Sequence, residues 1–340
     1  MSEPHILLRG LAIGESPRWH AGRLWFSNWG TQEIVAVDLE GNSEVVGQGP
    51  PGLGWATDWL ADGRLLVTGQ ELTRKEPDGS MVKHADLSGV AEHRWSEIVV
   101  DGRGNIYLNG FGFDFLAGEA PRPGIIALVA PDGSARQVAD GIEFPNGMVV
   151  TPDNSTLIIA ESFAGRLTAF DIAADGSLSN RRVWADLGGP GNGDGICLDA
   201  EGAVWTPVRD HACARVREGG EVLQRIELDR FCYACMLGGP DRATLFMMAA
   251  DWRGVEHVDA VIASRAEAAL AMAALYPRRA LCVICTIHDD YSSKLELLSL
   301  NGLNDSRRDR VRRIATERAG ANKKPPQSFC DGSGFSASFG

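Results

Sequence analysis

The stretch Phe144-Pro-Asn-Gly-Met-Val-Val-Thr-Pro-Asp-Asn-Ser-Thr-Leu-Ile-Ile-Ala-Glu-Ser162 reads as one structural unit, a β-hairpin with a polar residue at its entrance. Met148 to Val150 is a short apolar strand, Thr151 to Ser155 a Pro/Asp/Asn turn, and Leu157 to Ala160 a second β-rich strand. Asn146 is the polar residue. Variants of this unit, an apolar segment, a Gly/Asp turn and a β-rich segment, stand at residues 19–26, 60–67, 100–107, 151–158, 198–205 and 238–246. The steps between their first residues are 41, 40, 51, 47 and 40, the span of a four-stranded propeller blade. A further strand pair follows each copy, as at 34–46 and 167–178, which brings every copy to four strands. Helical periodicity is hard to find before residue 265. The sequence therefore predicts an all-β fold, a six-bladed β-propeller over residues 1–265.

A ring of blades must complete its last sheet or leave an open edge. The sixth copy offers strands at 233–237, 244–250 and 255–263, one short of four, and residues 5–11 can supply the missing outer strand. The propeller would then be closed by its N-terminal strand, leaving 266–340 as an atypical C-terminal extension, helical or disordered. That extension opens with a helix-forming run, residues 266–276, and ends in a basic segment and a Gly/Ser-rich tail. It carries 11 Lys/Arg against 8 Asp/Glu, while the whole chain has a net charge of −12. The change of sign marks a boundary.

An acidic chain argues against a nucleic-acid surface. No apolar run approaches the roughly 18 residues of a membrane span, and the start lacks the basic and apolar regions of a secretory signal. Seven cysteines, odd in number and late in the chain, fit reduced thiols in a cytoplasmic protein. Two Cys-x-x-Cys pairs, Cys232/Cys235 and Cys282/Cys285, lie in apolar segments and read as buried thiols rather than a zinc site. The Gly-x-Ser-x-Gly elbow, P-loop and His-Glu-x-x-His motifs are missing from the sequence, which argues against serine hydrolase, NTPase and zincin chemistry.

In a propeller the innermost strands line a central channel, so residues just before the first strand of each copy converge at one mouth. Glu15, Ser96, Asn146 and Asp194 stand at this equivalent place, and Trp55 and the Tyr233/Ala234 region fill it in the second and sixth copies. Glu, Asn and Asp oxygens are hard ligands suited to Ca²⁺ or Mg²⁺ and tolerable for Mn²⁺ or Zn²⁺. The alternative is that each polar residue caps a blade turn by hydrogen bonding.

The segments Gly14-Glu-Ser-Pro-Arg-Trp19, Phe144-Pro-Asn-Gly147 and Gly193-Asp-Gly-Ile-Cys-Leu-Asp-Ala-Glu-Gly202 resemble, in order and spacing, the family of gluconolactonase, regucalcin (senescence marker protein) and luciferin-regenerating enzyme. The resemblance runs over about residues 10–254. It implies a six-bladed propeller with one divalent cation in the channel, Ca²⁺ foremost and Zn²⁺, Mn²⁺ or Mg²⁺ as alternatives, and hydrolysis of a small-molecule lactone, typically of a sugar. The family's metal ligands match Glu15, Asn146 and Asp194, and its substrate-binding Arg matches Arg94. Where the family commonly has Asn two residues after that Arg, this chain has Ser96, and the loop before Asp194 lacks the family's frequent Pro.

On this reading a metal-activated water attacks the lactone carbonyl, and Asp194 is the general base. Arg94 and Ser96 would hold substrate oxygens, Asp114 a sugar hydroxyl, and Trp55 with the 111–115 loop would wall the pocket. The rival is a non-enzymatic propeller that binds a metal or a partner on its top face.

Overall fold

The computed structural model describes residues 3–251 and 268–274. The hairpin expected around residue 153 is present: strand Pro145–Val150 pairs antiparallel with Thr156–Glu161, with Val150 opposite Leu157. Its turn is closed by Thr151 accepting and donating across the gap, with the Asn154 N–H on the Thr151 carbonyl at 2.8 Å and the Thr151 N–H on the Thr156 carbonyl at 2.9 Å. Asp153 Oδ1 adds a bond from the Ser155 N–H at 3.1 Å, the side-chain cap that makes Asp frequent in such turns.

Successive side chains of a strand face opposite sides of the sheet. Leu157 and Ile159 enter one core cluster with Tyr107, Leu128 and Met148, while Ile158 and Ala160 enter another with Ile196, Val204 and Ala214. Both faces are covered by neighbouring sheets. This is why the strand reads as a continuous apolar run and not as an alternating one.

The described strands form six four-stranded antiparallel sheets. The first strands of the six sheets, Gly14–His20, Thr57–Trp59, Trp95–Val100, Pro145–Val150, Cys197–Leu198 and Phe231–Gly238, each touch the next, and the last touches the first. The arrangement is all-β and propeller-like. A single 3-10 turn, Trp29–Thr31, is the only helical element among the described residues, and none of these residues forms a helix long and apolar enough to cross a membrane.

The sixth sheet differs in one respect from the sequence expectation. Its strands run Phe231–Gly238, Thr244–Ala250, Ala268–Ala274 and His5–Leu11, so the N-terminal strand does complete it, pairing Leu11 with Ala268 and His5 with Met272. The third strand, however, comes from the run expected to be helical. The helical reading of 266–276 is corrected for these seven residues, and the sheet extends past the boundary placed at residue 265. Intrinsic propensity favours a helix for Ala and Leu, but the strand fills a position with unpaired ladder groups on both sides. Met272 is fully buried there beside Phe246 and Leu11. The expected strand at 255–263, Cys282/Cys285 and the basic segment fall outside the described residues.

Glu161 ends its strand fully buried and is held by charge. Arg166 and Arg181 each approach it at 3.1 Å, Thr168 donates its hydroxyl, and the Glu143 N–H donates at 2.8 Å. Burial works against the charged form, but the bonds from Arg166, the Glu143 N–H and Thr168 outweigh it and hold the Glu161 carboxyl below its ordinary value. A depressed carboxylate contributes stability that is present above the unfolded pKa, near 4.3, and lost as pH falls through the folded one. We therefore expect Glu161→Gln to lower stability at pH 7 by about 2–4 kcal/mol, since two arginines lose their partner. In urea titrations repeated from pH 7 to pH 3, the gap between variant and parent should narrow as the acid limit is reached; a gap independent of pH would refute the assignment.

Candidate functional site

Four of the six innermost strands carry a register shift at the same end: between Glu15 and Arg18, Trp95 and Ile98, Pro145 and Met148, and Cys232 and Ala234. A bulge turns a side chain that would face a neighbouring sheet toward the strand end. Ser16, which follows Glu15, has φ of 50°, and Phe144, two residues before Asn146, has φ of 58°, left-handed backbone that only a well-fixed surrounding sustains in such residues. The residues so delivered, Glu15, Ser96, Glu97, Asn146 and Tyr233, line one cavity of about 1050 Å³ together with Asp194.

Asp194 arrives by a different route. Its loop is sewn to three sheets: the Gly191 N–H donates to the Ser162 carbonyl (2.8 Å), the Gly193 N–H to the Pro207 carbonyl (3.0 Å) and the Gly195 N–H to the Tyr233 carbonyl (2.8 Å). Asn192, buried, donates Nδ2 to the Leu187 carbonyl at 2.8 Å and accepts from the Arg209 N–H at 2.6 Å. These bonds fix the loop without the proline. Gly147 must be glycine for the same junction, because a Cβ there would lie 2.6 Å from the Asp194 carbonyl oxygen.

The electrostatics follow from crowding. Burial first, then the charges of Asp194 and Glu97, push the Glu15 carboxyl well above the usual range. Burial and the charge of Glu97 raise Asp194 in the same way, opposed by hydrogen bonds from Asn146 and the Gly195 N–H. Among the described residues neither Glu15 nor Asp194 forms an ion pair. Asn146 donates Nδ2 to Ser162 Oγ at 3.3 Å and bonds to Asp194, which leaves its Oδ1 as the oxygen available to a ligand. Two carboxylates and a carboxamide oxygen are a donor set that a hard divalent cation fits. No group of three or more His, Cys, Asp or Glu among the described residues could hold a metal by itself, so a cation here would need Asn146. The same finding leaves Cys232 and Cys235 as buried thiols, packed with Cys197 and Cys213.

Sequence reasoning missed Glu97 and Asn109. Glu97 is buried, accepts from the Ser16 hydroxyl and pairs with Arg18 at 3.3 Å. Asn109 bridges the third and fourth sheets, accepting from the Glu97 N–H at 3.2 Å and donating to the Asn146 carbonyl at 2.7 Å. The position of Glu97 beside in-phase Ser96 was the available signal. Asn109 gave none, because it lies on a second strand.

Of the residues expected to contact substrate, Arg94 and Ser96 line the cavity and Asp114 stands at its mouth. Arg94 donates Nη2 to the Pro51 carbonyl at 3.1 Å, and its buried Nε has no partner. Asp114 is engaged as a turn cap, accepting from the Leu116 and Ala117 N–H groups at 3.0 and 2.9 Å. Trp55 is a correction: it is fully buried in a core cluster with Ile34, Leu65 and Val67 and does not line the cavity. Its ring lies against Gly49, where a Cβ would sit 2.2 Å from it. The second sheet has no register shift between its first two strands, so nothing turns that position inward. Trp29, whose Nε1 donates to the Trp55 carbonyl at 2.7 Å, takes its place on the wall.

Comparison with known proteins bears on the family and the fold. The profile of the SMP-30/gluconolactonase/LRE-like region matches residues 13–251. Regucalcin of Xenopus laevis is 26% identical over 262 residues, which cover 71% of this chain and 86% of that protein. Diisopropyl-fluorophosphatase of Loligo vulgaris is 26% identical over 200 residues, 50% of this chain and 59% of that protein. Among solved structures, the calcium-binding protein regucalcin of Agrobacterium tumefaciens has a TM-score of 0.66 at 22% identity, over 80% of this chain and 94% of that one. A gluconolactonase of Xanthomonas campestris gives 0.62 at 22% identity, again over 80% and 94%. At such identities the structures speak for the fold alone. With the family profile spanning well over half of its residues and every site segment, the chain belongs to the SMP-30/gluconolactonase/LRE-like family.

Proposed function

We propose that the chain is a six-bladed propeller hydrolase that opens a lactone ring with the help of one divalent cation held by Glu15, Asn146 and Asp194. The observation that carries this is the convergence of a buried carboxylate, Glu15, and a half-buried one, Asp194, neither in an ion pair among the described residues, with the Asn146 carboxamide oxygen in one large cavity. A bound cation would supply electrophilic help to the lactone carbonyl and a more acidic water. Ca²⁺ suits the all-oxygen set, and the Agrobacterium relative is described as calcium-binding.

Asp194, beside Asn146 and the cavity, would take the proton of the attacking water. Arg94, which lines the cavity, holds the oxygen that becomes the product carboxylate. Glu97 positions the strand of Glu15 through the Ser16 hydroxyl. Four buried free thiols agree with a cytoplasmic setting.

Lactone hydrolysis followed by pH-stat with Ca²⁺, Mn²⁺ or Zn²⁺ should show metal-dependent turnover that Asp194→Ala lowers by about 100-fold or more. Tight Ca²⁺ binding without turnover across a broad lactone panel would instead favour the binding-protein reading. A second measurement concerns stability. A carboxyl raised in the folded state makes the fold less stable as pH rises, so the chelator-treated protein should lose stability from pH 5 to pH 8. Glu15→Gln should raise the melting temperature of that metal-free form and abolish the upward shift on adding Ca²⁺. An unchanged Ca²⁺ shift in this variant would remove Glu15 from the ligand set.

A further inference from the structure

Above the carboxylates, one wall of the cavity is built almost wholly from phenylalanine. Phe144 is its centre: Phe163 stacks on it at 4.3 Å with an interplanar angle of 20°, Phe111 lies at 4.7 Å, Phe115 meets it edge-on at 5.3 Å and Phe113 lies at 6.1 Å. The wall is fixed by backbone bonds, the Ser162 N–H on the Phe144 carbonyl at 3.1 Å and the Phe163 N–H on the Glu143 carbonyl at 3.2 Å. At the mouth, Leu116 and Phe163 remain 41% and 40% exposed, large apolar side chains left uncovered beside an opening.

Few polar groups stand along this wall, and the nearest are engaged in part. Ser162 Oγ donates to the Gly193 carbonyl at 2.6 Å and accepts from Asn146, and Asp114 caps two backbone N–H groups. A polyhydroxylated ligand placed there would leave several hydroxyls without partners, each carrying a desolvation penalty. An alkyl or aryl group would instead bury against the rings, to which it adds both area and ring contacts. The cavity volume, about 1050 Å³, stands at the upper end of pockets that enclose drug-sized ligands and far exceeds what one hexose ring fills.

We propose that this site selects a lactone bearing a bulky apolar or aromatic body, which rests on the phenylalanine wall while its carbonyl reaches the carboxylate floor and Arg94. The assignment rests on the hydrolase reading for the chemistry, but the class of ligand is set by the wall itself.

The test separates the two. With Ca²⁺ present, binding of 3,4-dihydro-2-quinolinone, the lactam counterpart of dihydrocoumarin, is compared by calorimetry with binding of gluconolactam, and kcat/KM is compared for the two corresponding lactones. The aromatic lactam should bind at least about tenfold tighter, and Phe163→Ala should reduce that preference by about tenfold while raising KM more than it lowers kcat. Phe163 is exposed enough for the variant to fold, and Leu116→Ala provides a second, independent probe of the same wall. Tighter binding of gluconolactam, no binding of either lactam, or a preference unchanged in both variants would overturn the proposal. Preferred binding of the aromatic lactam with no hydrolysis of either lactone would uphold the ligand class and refute the hydrolase reading.

Discussion

Glu15, Glu97 and Asp194 repel one another across a space from which burial has removed much of the water. Only Glu97 has an ion-pair partner among the described residues, Arg18 at 3.3 Å. Holding such a group together demands rigid delivery from several directions, and the sheets supply it. Glu15 and Glu97 come from different sheets and Asp194 from a loop between two others, and hydrogen bonds link their surroundings: Ser16 to Glu97, Asn109 to Asn146, Gly147 to the Asp194 carbonyl. Left-handed backbone is accepted at Ser16 and Phe144, beside this centre. An unfavourable centre and a well-packed periphery are two sides of one design, in which core stability of the sheets offsets the cost of crowding carboxylates.

The periphery has its own logic. Sheets stacked face to face bury both sides of their middle strands, so Leu157 to Ala160 need not alternate, whereas the outer strand Leu178–Asp186 is mostly polar or half-buried. Edges remain the weak element, and the sixth sheet deals with its edge by joining the two ends of the described chain. An alanine-rich run with a preference for helix is thereby drawn into a ladder. Tertiary pairing decides its state, as it decides the state of many short segments whose propensity is weak.

The repeat made the blade hairpins legible, because Asp, Asn and Gly turns recur with chemistry that any copy displays. That Glu15, Asn146 and Asp194 meet at one cavity was legible through their common phase. Phase fixes height along a strand but not the direction of the side chain. Trp55 shares the height and turns into the core, since no bulge acts on its strand. Glu97 was hidden by its neighbour for the same reason: the shift between Trp95 and Ile98 brings two adjacent residues to the floor where a regular strand would bring one. The phenylalanine wall was visible in part at 111–115, but its centre, Phe144, reads in sequence only as the residue before a turn.

Pairing Leu11 with Ala268 joins positions roughly 260 residues apart. During synthesis at about 5–20 residues per second, the first strand therefore waits on the order of tens of seconds for its partner to leave the ribosome. Throughout that interval five sheets can form while the ring stays open, with His5–Leu11 and the growing end both presenting unpaired backbone. The exposure of these strand edges during synthesis thus follows from the location of the seam.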